Sequence, residues 1–314
     1  MRAEPRICDY EGTDYRTDFW EGRGREYEDL AERIALRRLL PSSGRRLLDL
    51  GAGFGRLAEF YDRYDQVVLL DYSRSLLRQA QDRLGRNGRI RYVAANFYRL
   101  PFVDSAFDTA MMVRVMHHVE QVPSLLSEVA RVLAHGGSYV LEFASKRHLK
   151  AILRYLLRRQ RWSPFDPTPY EFAEMNFDFH PAWMDQRLHE AGFHVKHRRT
   201  VSHFRLPLLK RLFPAPWLAR LDGLCQPTGA WWQLTPSVFV GCTLDKPGND
   251  LADGLFRCPA CGHAPLHESV EAIHCKACGC RWPVEDGLYN FVGSTAGDGP
   301  PGPAGDEGRF RSGS

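Results

Sequence analysis

Glycine at every second position of Gly51-Ala52-Gly53-Phe54-Gly55, directly after the apolar run Leu47-Leu48-Asp49-Leu50, constrains this chain more than any other feature. Residues without a Cβ let the backbone turn sharply and approach a ligand closely. The following Arg56-Leu57-Ala58-Glu59-Phe60 reads as the start of a helix, whose free N–H groups would face whatever lies on the loop. A nucleotide-type site is expected. The dinucleotide fingerprint has the spacing G-x-G-x-x-G; this chain has acid-x-G-x-G-x-G, with Asp49 two residues before Gly51.

Strands and helices alternate around the loop. An amphipathic helix is expected from Glu26 to Leu40, ended by Pro41. Strands follow at Arg46–Leu50, Gln66–Asp71, Ile90–Ala95, Phe107–Val113 and Ser138–Phe143. Helices are expected at Arg74–Arg86 and Val122–Ala134, the second stopped by Gly136-Gly137, and at Pro181–Ala191, closed by Gly192. Two further strands, His194–Phe204 and Ser237–Leu244, bring the total to seven. The pattern predicts an α/β, Rossmann-like, mostly parallel sheet with helices on both faces, and right-handed crossovers.

The acid-x-G-x-G-x-G loop resembles motif I of class I S-adenosylmethionine-dependent methyltransferases. Leu100-Pro101-Phe102, followed by Phe107-Asp108, is similar to the signature of the branch acting on small molecules, including ubiquinone and menaquinone precursors. The resemblance covers about residues 45–145. It implies S-adenosylmethionine as cofactor, held by Asp49, Gly51, Ala52, Gly53, Gly55, Asp71, Tyr72, Asn96, Phe97 and Val113. Asp71 is the carboxylate for the ribose hydroxyls. Asn96 stands where the family usually has an acid for adenine, and its side-chain carbonyl can still accept. Phe19-Trp20, Arg23 and Tyr27-Glu28 resemble the N-terminal segment that closes over methionine. His117 and His118, just after the fourth strand beside Arg114, are the candidate catalytic residues, needed only if the acceptor must lose a proton. The Asn/Asp-Pro-Pro-Tyr/Phe motif of many amine methyltransferases is absent; Met111-Met112-Val113-Arg114 stands there. No cysteine lies near the expected transfer site, which argues against a covalent cytosine-C5 mechanism.

Residues 145–180 interrupt the alternation as an insertion or cap. Lys146 to Arg161 holds seven Lys/Arg and no acid, with Leu149, Ile152, Leu153 and Leu156 at helical spacing. Three readings stay open: a solvated face over a core stripe, an RNA- or phosphate-facing patch, or a membrane-surface helix. The apolar segment from Leu206 to Leu221 and the pair Trp231-Trp232 read either as a cap packed on the sheet or as a vestibule for a lipophilic substrate.

Five of the eight cysteines fall between Cys258 and Cys280. Cys258-x-x-Cys261 and Cys275-x-x-Cys278 are two knuckles whose spacing suits one tetrahedral, structural zinc. Cys280, His263 and His274 lie close by as substitutes. Cys8, Cys225 and Cys242 read as packing or surface thiols. The run Trp282-Pro283-Val284-Glu285-Asp286-Gly287-Leu288-Tyr289 resembles the small zinc-ribbon proteins that activate methyltransferases of tRNA, rRNA and a release factor. Trp282 replaces their Tyr, and Tyr289 their final Pro. The resemblance implies a fused activator or docking module.

The expected organisation is a methyltransferase domain over 1–245, a linker over 246–254, a zinc ribbon over 255–292 and a disordered tail over 293–314. A net charge of +4 is too small alone to imply nucleic acid. Met1-Arg2-Ala3-Glu4-Pro5 has no apolar h-region, and no run of 18 apolar residues exists, so a cytoplasmic protein without a membrane span is expected. The leading expectation is methyl transfer to a small, lipophilic acceptor. The alternative is a tRNA, rRNA or translation factor reached through the basic helix 146–161 and the ribbon. A third is a non-catalytic S-adenosylmethionine-binding interaction protein.

Overall fold

In the computed structural model, residues 5–13, 24–248 and 250–293 are described. Phe19, Trp20 and Arg23, and the tail from 294 to 314, lie outside them. The chain runs α1 (Glu26–Leu39), β1 (Gly44–Leu50), β2 (Tyr64–Asp71), α2 (Arg74–Leu84), β3 (Ile90–Ala94), β4 (Phe107–Met112), α3 (Val122–Val132) and β5 (Leu133–Ala144). Next come α4 (Leu149–Leu156), β6 (Tyr170–Ala173), β7 (Asn176–Asp178), α5 (Pro181–Glu190), β8 (Phe193–Val201), α6 (Pro207–Leu212), α7 (Ala215–Cys225) and β9 (Ser237–Leu244). The C-terminal strands are β10 (His267–Glu268), β11 (Ala272–His274), β12 (Arg281–Glu285) and β13 (Leu288–Asn290).

One sheet of 11 strands runs β10-β11-β12-β13-β3-β2-β1-β4-β5-β9-β8. Its centre, β3-β2-β1-β4-β5, is parallel. β9 is antiparallel to both β5 and β8. The central strands carry apolar runs, as strands covered on both faces do; Leu47, Leu48, Val67, Val68, Met111 and Met112 are all buried. On one face Leu125, Leu126 and Val129 of α3 and Met184 and Leu188 of α5 join the core. On the other are Tyr27 and Leu36 of α1, Leu77 and Ala80 of α2, and Leu218 of α7. Among the described residues, no helix is long and apolar enough to cross a membrane.

Three expectations about elements change. No α-helix follows the glycine loop, only the 3-10 turn Ala58–Phe60. Once residues 51–55 have formed the loop, only 56–63 remain before Tyr64, too few for a helix of ordinary length and its exit turn. α3 ends at Val132, ahead of Gly136-Gly137. The chain passes directly into β5, whose register against β4 shifts between Phe107 and Thr109. The insertion holds a β6–β7 hairpin as well as a helix.

The cysteine-bearing segment joins the sheet. β13 pairs in parallel with β3, Leu288 opposite Tyr92 and Asn290 opposite Ala94. Around this ladder, Phe256 contacts Phe102, Tyr289 and Phe291 ring to ring. The Arg257 amide donates to the Pro101 carbonyl at 3.0 Å, and its guanidinium reaches Asp104 at 2.7 Å. The Arg91 guanidinium donates to the Tyr289 hydroxyl at 2.6 Å. A tyrosine can extend a strand where a proline would end it. Phe256→Ala should therefore lower stability by about 3–5 kcal/mol, read from denaturant unfolding, as one transition because the two parts share a sheet.

Candidate active site and cysteine cluster

The glycine loop leaves β1 at the carboxyl edge of the sheet, where ligands bind in open α/β folds. Gly51 has φ +75°, and a Cβ there would lie 2.2 Å from Val115 Cγ2. Gly53 has φ +54°, and its Cβ position faces open space. Its N–H donates to Asp71 Oδ2 at 2.8 Å, while the Ser73 amide donates to Oδ1 at 3.0 Å. Asp49 lies buried beside the loop and accepts from the Tyr61 hydroxyl. Burial pushes the Asp49 carboxyl up to about 7 and the Asp71 carboxyl up to about 6.

Asp49, Gly51, Ala52, Gly53, Asp71, Tyr72, Phe97 and Val113 line one cleft, together with His118. Gly55 and Asn96 do not. Gly55 has no room for a Cβ, which would lie 2.8 Å from Leu84 Cδ1, so it serves helix packing. The Asn96 side-chain carbonyl accepts from the Tyr98 amide at 2.9 Å, a local turn contact. Tyr27 and Glu28 do not reach the cleft either: the Tyr27 hydroxyl donates to buried Asp222 of α7 at 2.7 Å, and Lys210 holds Glu28 at 3.0 Å. Among the cleft's unforeseen walls are Cys8 and Tyr10 of the N-terminal arm, Arg56 and Val115. Cys8, read as an ordinary thiol, faces the cleft. A cationic ligand bearing a ribose suits two carboxylates set on a glycine loop.

A second cavity opens beside the first and shares Tyr10, Arg114 and His118 with it. Its other walls include His117, Glu142, His148, Asp178 and Arg205. It is polar and charged, not an apolar vestibule. His118 is fixed in one tautomer. Its Nδ1 lies 2.8 Å from the Met175 carbonyl, which can only accept, so Nδ1 carries the proton. Nε2 then accepts from the Tyr10 hydroxyl at 2.9 Å. Burial lowers the His118 pKa; burial, His118 and Arg114 lower that of His117 well below its usual value. Burial, helped by Lys150, Arg154 and Arg205, lowers His148 to about 4. Burial raises Asp178 to about 6.

The sulfurs of Cys258, Cys261, Cys275 and Cys278 all lie within 4.8 Å of one another. Cys258 and Cys278 are 3.6 Å apart, Cys261 and Cys275 3.5 Å. A tetrahedron of zinc–thiolate bonds of about 2.3 Å has edges of about 3.8 Å, so four thiolates on one zinc fit this cluster. Gly262 and Gly279, both at positive φ, close the two knuckles. Cys280, His263 and His274 stand outside the group of four.

Residues 48–141 match the family profile described as "Methyltransferase domain". This segment forms the centre of the sheet, so the matched residues carry the α/β, Rossmann-like methyltransferase fold. Among curated proteins, the ubiquinone/menaquinone biosynthesis C-methyltransferase UbiE of Vibrio campbellii is 32% identical over 167 residues, 48% of this chain and 64% of that protein. The demethylmenaquinone methyltransferase of Tropheryma whipplei is 34% identical over 148 residues, 45% of this chain and 62% of that protein. The chain thus spans less than two thirds of these relatives. A solved chain from the complex between the Haloferax volcanii Trm112 methyltransferase activator and the putative methyltransferase has the same fold. Its TM-score is 0.51 at 16% identity, over 74% of this chain and 98% of that one.

Asp49 titrates well above its unfolded value near 3.9. A raised acid stabilises the fold below the unfolded pKa, and that contribution is lost as pH rises through the folded one. Asp49→Asn should therefore gain on the wild type as pH rises from about 4 to about 7. Paired melting curves across that range check it; a pH-independent difference would contradict the assignment.

Proposed function

We propose that the protein is a methyltransferase that passes a methyl group from S-adenosylmethionine to a small amphiphilic acceptor with a polar head. The carrying observation is the two-chambered site, in which cofactor cleft and polar cavity share Tyr10, Arg114 and His118. The named relatives work in quinone biosynthesis, which supports a small acceptor with oxygen functions at one end and an apolar tail. Residues such as Glu142, Asp178 and Arg205 are poorly matched to a wholly apolar guest, which would leave them desolvated without partners. When bound, the cofactor supplies an electrophilic methyl group. Asp49 and Asp71 hold the cofactor, with Tyr72, Phe97 and Val113 closing the cleft. If the acceptor loses a proton on attack, the Tyr10 oxygen takes it while the phenolic proton moves to His118 Nε2. The Met175 carbonyl keeps the ring oriented during that transfer. His117, a weak base in its surroundings, is a wall residue in this reading.

We further infer that residues 255–292 act as a zinc ribbon, an activator-like module working in cis on a methyltransferase domain over 1–245, with 246–254 as linker. The β13–β3 pairing supports this, as does the likeness to a structure that contains a methyltransferase with its activator. Four thiolates leave zinc no open position, so its role is structural. Because Phe97 follows β3 directly and lines the cleft, loosening the ribbon should reach the cofactor.

Calorimetry tests the first reading: the wild type should bind about one equivalent of S-adenosylmethionine, and Asp71→Ala should bind at least about tenfold more weakly, the loss of a charge-assisted contact. Absence of binding in the wild type would overturn this reading. Metal analysis tests the second. About one zinc per chain is expected, and Cys275→Ser should lose it, melt lower and bind cofactor more weakly. A variant with unchanged melting and cofactor affinity would remove the ribbon's structural role.

A further inference from the structure

We infer that the rim of the acceptor cavity is a docking surface for an anionic lipid bilayer. α4 does not cover a core stripe. Only Ala151 of the helix is buried, while Leu153 is 49% and Leu156 65% exposed. The neighbouring segment 203–234 likewise leaves Leu208, Trp217 and Trp231 exposed, Trp231 at 74%. These segments meet at the cavity mouth. His148, the N-cap of α4, Phe172 of β6 and Arg205, just before α6, line the same cavity. The Leu149 amide donates to the Leu234 carbonyl at 2.8 Å, which ties α4 to the stretch holding Trp231-Trp232.

Within α4 and the 203–234 segment the exposed charge has one sign, and the exposed acids Asp166, Glu171 and Glu174 lie on the adjoining loop and β6–β7 hairpin. Residues 146–165 contain no acid, and in 203–234 the single acid, Asp222, is buried. Lys150, Arg154, Arg158 and Arg159 are exposed and form no ion pair among the described residues. Exposed leucine and tryptophan among Lys/Arg is the composition of a surface lying at a bilayer interface, apolar groups in the acyl boundary and cations at anionic headgroups. A second copy of the chain would bring like charges together across a two-fold interface. RNA would pair the cations but leave the leucines uncovered, since bases stack on aromatic or guanidinium faces. An anionic bilayer satisfies both components. Docked there, the cavity faces the membrane, so an amphiphilic acceptor can present its head while its tail stays in lipid.

Co-sedimentation of the full chain with phosphatidylcholine vesicles, with and without phosphatidylglycerol, tests the surface and needs no methyl transfer. Binding to the phosphatidylglycerol vesicles is expected, weakened by salt. It should fall about tenfold or more both in Leu153→Glu/Leu156→Glu and in Lys150→Glu/Arg154→Glu. Val270→Glu, an exposed apolar residue of the C-terminal segment, should bind as the wild type does. Cofactor binding by calorimetry should be unchanged in all of them, which separates failure of docking from failure of the proposed reaction. Wild type that ignores anionic vesicles, or α4 variants that bind undiminished, would overturn the inference. So would a wild-type dimer dissociated by the leucine variants, or RNA bound in preference to vesicles with the lysine and arginine variants releasing it.

Discussion

The cleft depends on one carboxylate. Glu32 of α1 is fully buried and accepts from two guanidiniums on opposite walls. Arg56, directly after the glycine loop, reaches it at 2.9 Å; Arg114, at the end of β4, pairs with its other oxygen. Arg114 has φ +64°, and its amide donates to Glu142 of β5 at 3.0 Å. A helix remote in sequence thus clamps the loop and the strand ends that frame both chambers. Removing one partner of such a buried pair costs about 3–5 kcal/mol, because the remaining charges stay desolvated. A domain has only about 5–15 kcal/mol in all. The clamp also explains how the loop holds its shape without a following α-helix: Arg56 is tied to α1, and Tyr61 to Asp49.

The second constraint is the exposed edge of β3. An unpaired parallel edge strand is an invitation to aggregation, and here β13 covers it. Leu100-Pro101-Phe102, read from sequence as a mark of small-molecule enzymes, lies in that docking surface. Its backbone receives Arg257, Phe102 stacks on Phe256, and Arg131 donates to the Leu100 and Phe102 carbonyls. Three residues beyond the end of β3, Phe97 lines the cleft. The cysteine cluster and the cleft are therefore two ends of one hydrogen-bonded layer, which gives the proposed metal and cofactor sites a mechanical route between them.

What was legible in the sequence was what chemistry fixes locally. Apolar runs set β1 to β5, because strands buried on both faces tolerate little else. Glycine at alternate positions set the loop, and two knuckles set the cysteine cluster. The rest is made by topology. Tyr10 and His118 are 108 positions apart and bond only because the arm folds across the cleft. Glu142 sits mid-strand, where nothing local marks it as a cavity wall. Gly136-Gly137 looked like a helix stop because glycine serves equally at a helix end and in an irregular strand. The α4 stripe shows the opposite limit: helical spacing was correct, but spacing alone cannot say whether leucines meet a core or open space.

The two chambers and their rim sort polarity by depth, and this decides how an acceptor can be selected. Discrimination by an apolar surface is weak, about 1–3 kcal/mol per methylene, whereas a site built to bond polar groups rejects analogues lacking them by far more. Under the proposed function, with the acceptor's tail left in lipid, tails of varied length meet little preference. In that proposal selection falls to the inner groups of the cavity, among them Arg114, His148, Asp178 and Arg205. Of these, Arg114 is already committed to Glu32, so its charge is oriented before any acceptor arrives. A preoriented charge costs nothing further to align on binding. The clamp that shapes the cofactor cleft thus also fixes one contact of the acceptor cavity, and neither chamber can be altered at Glu32 without the other.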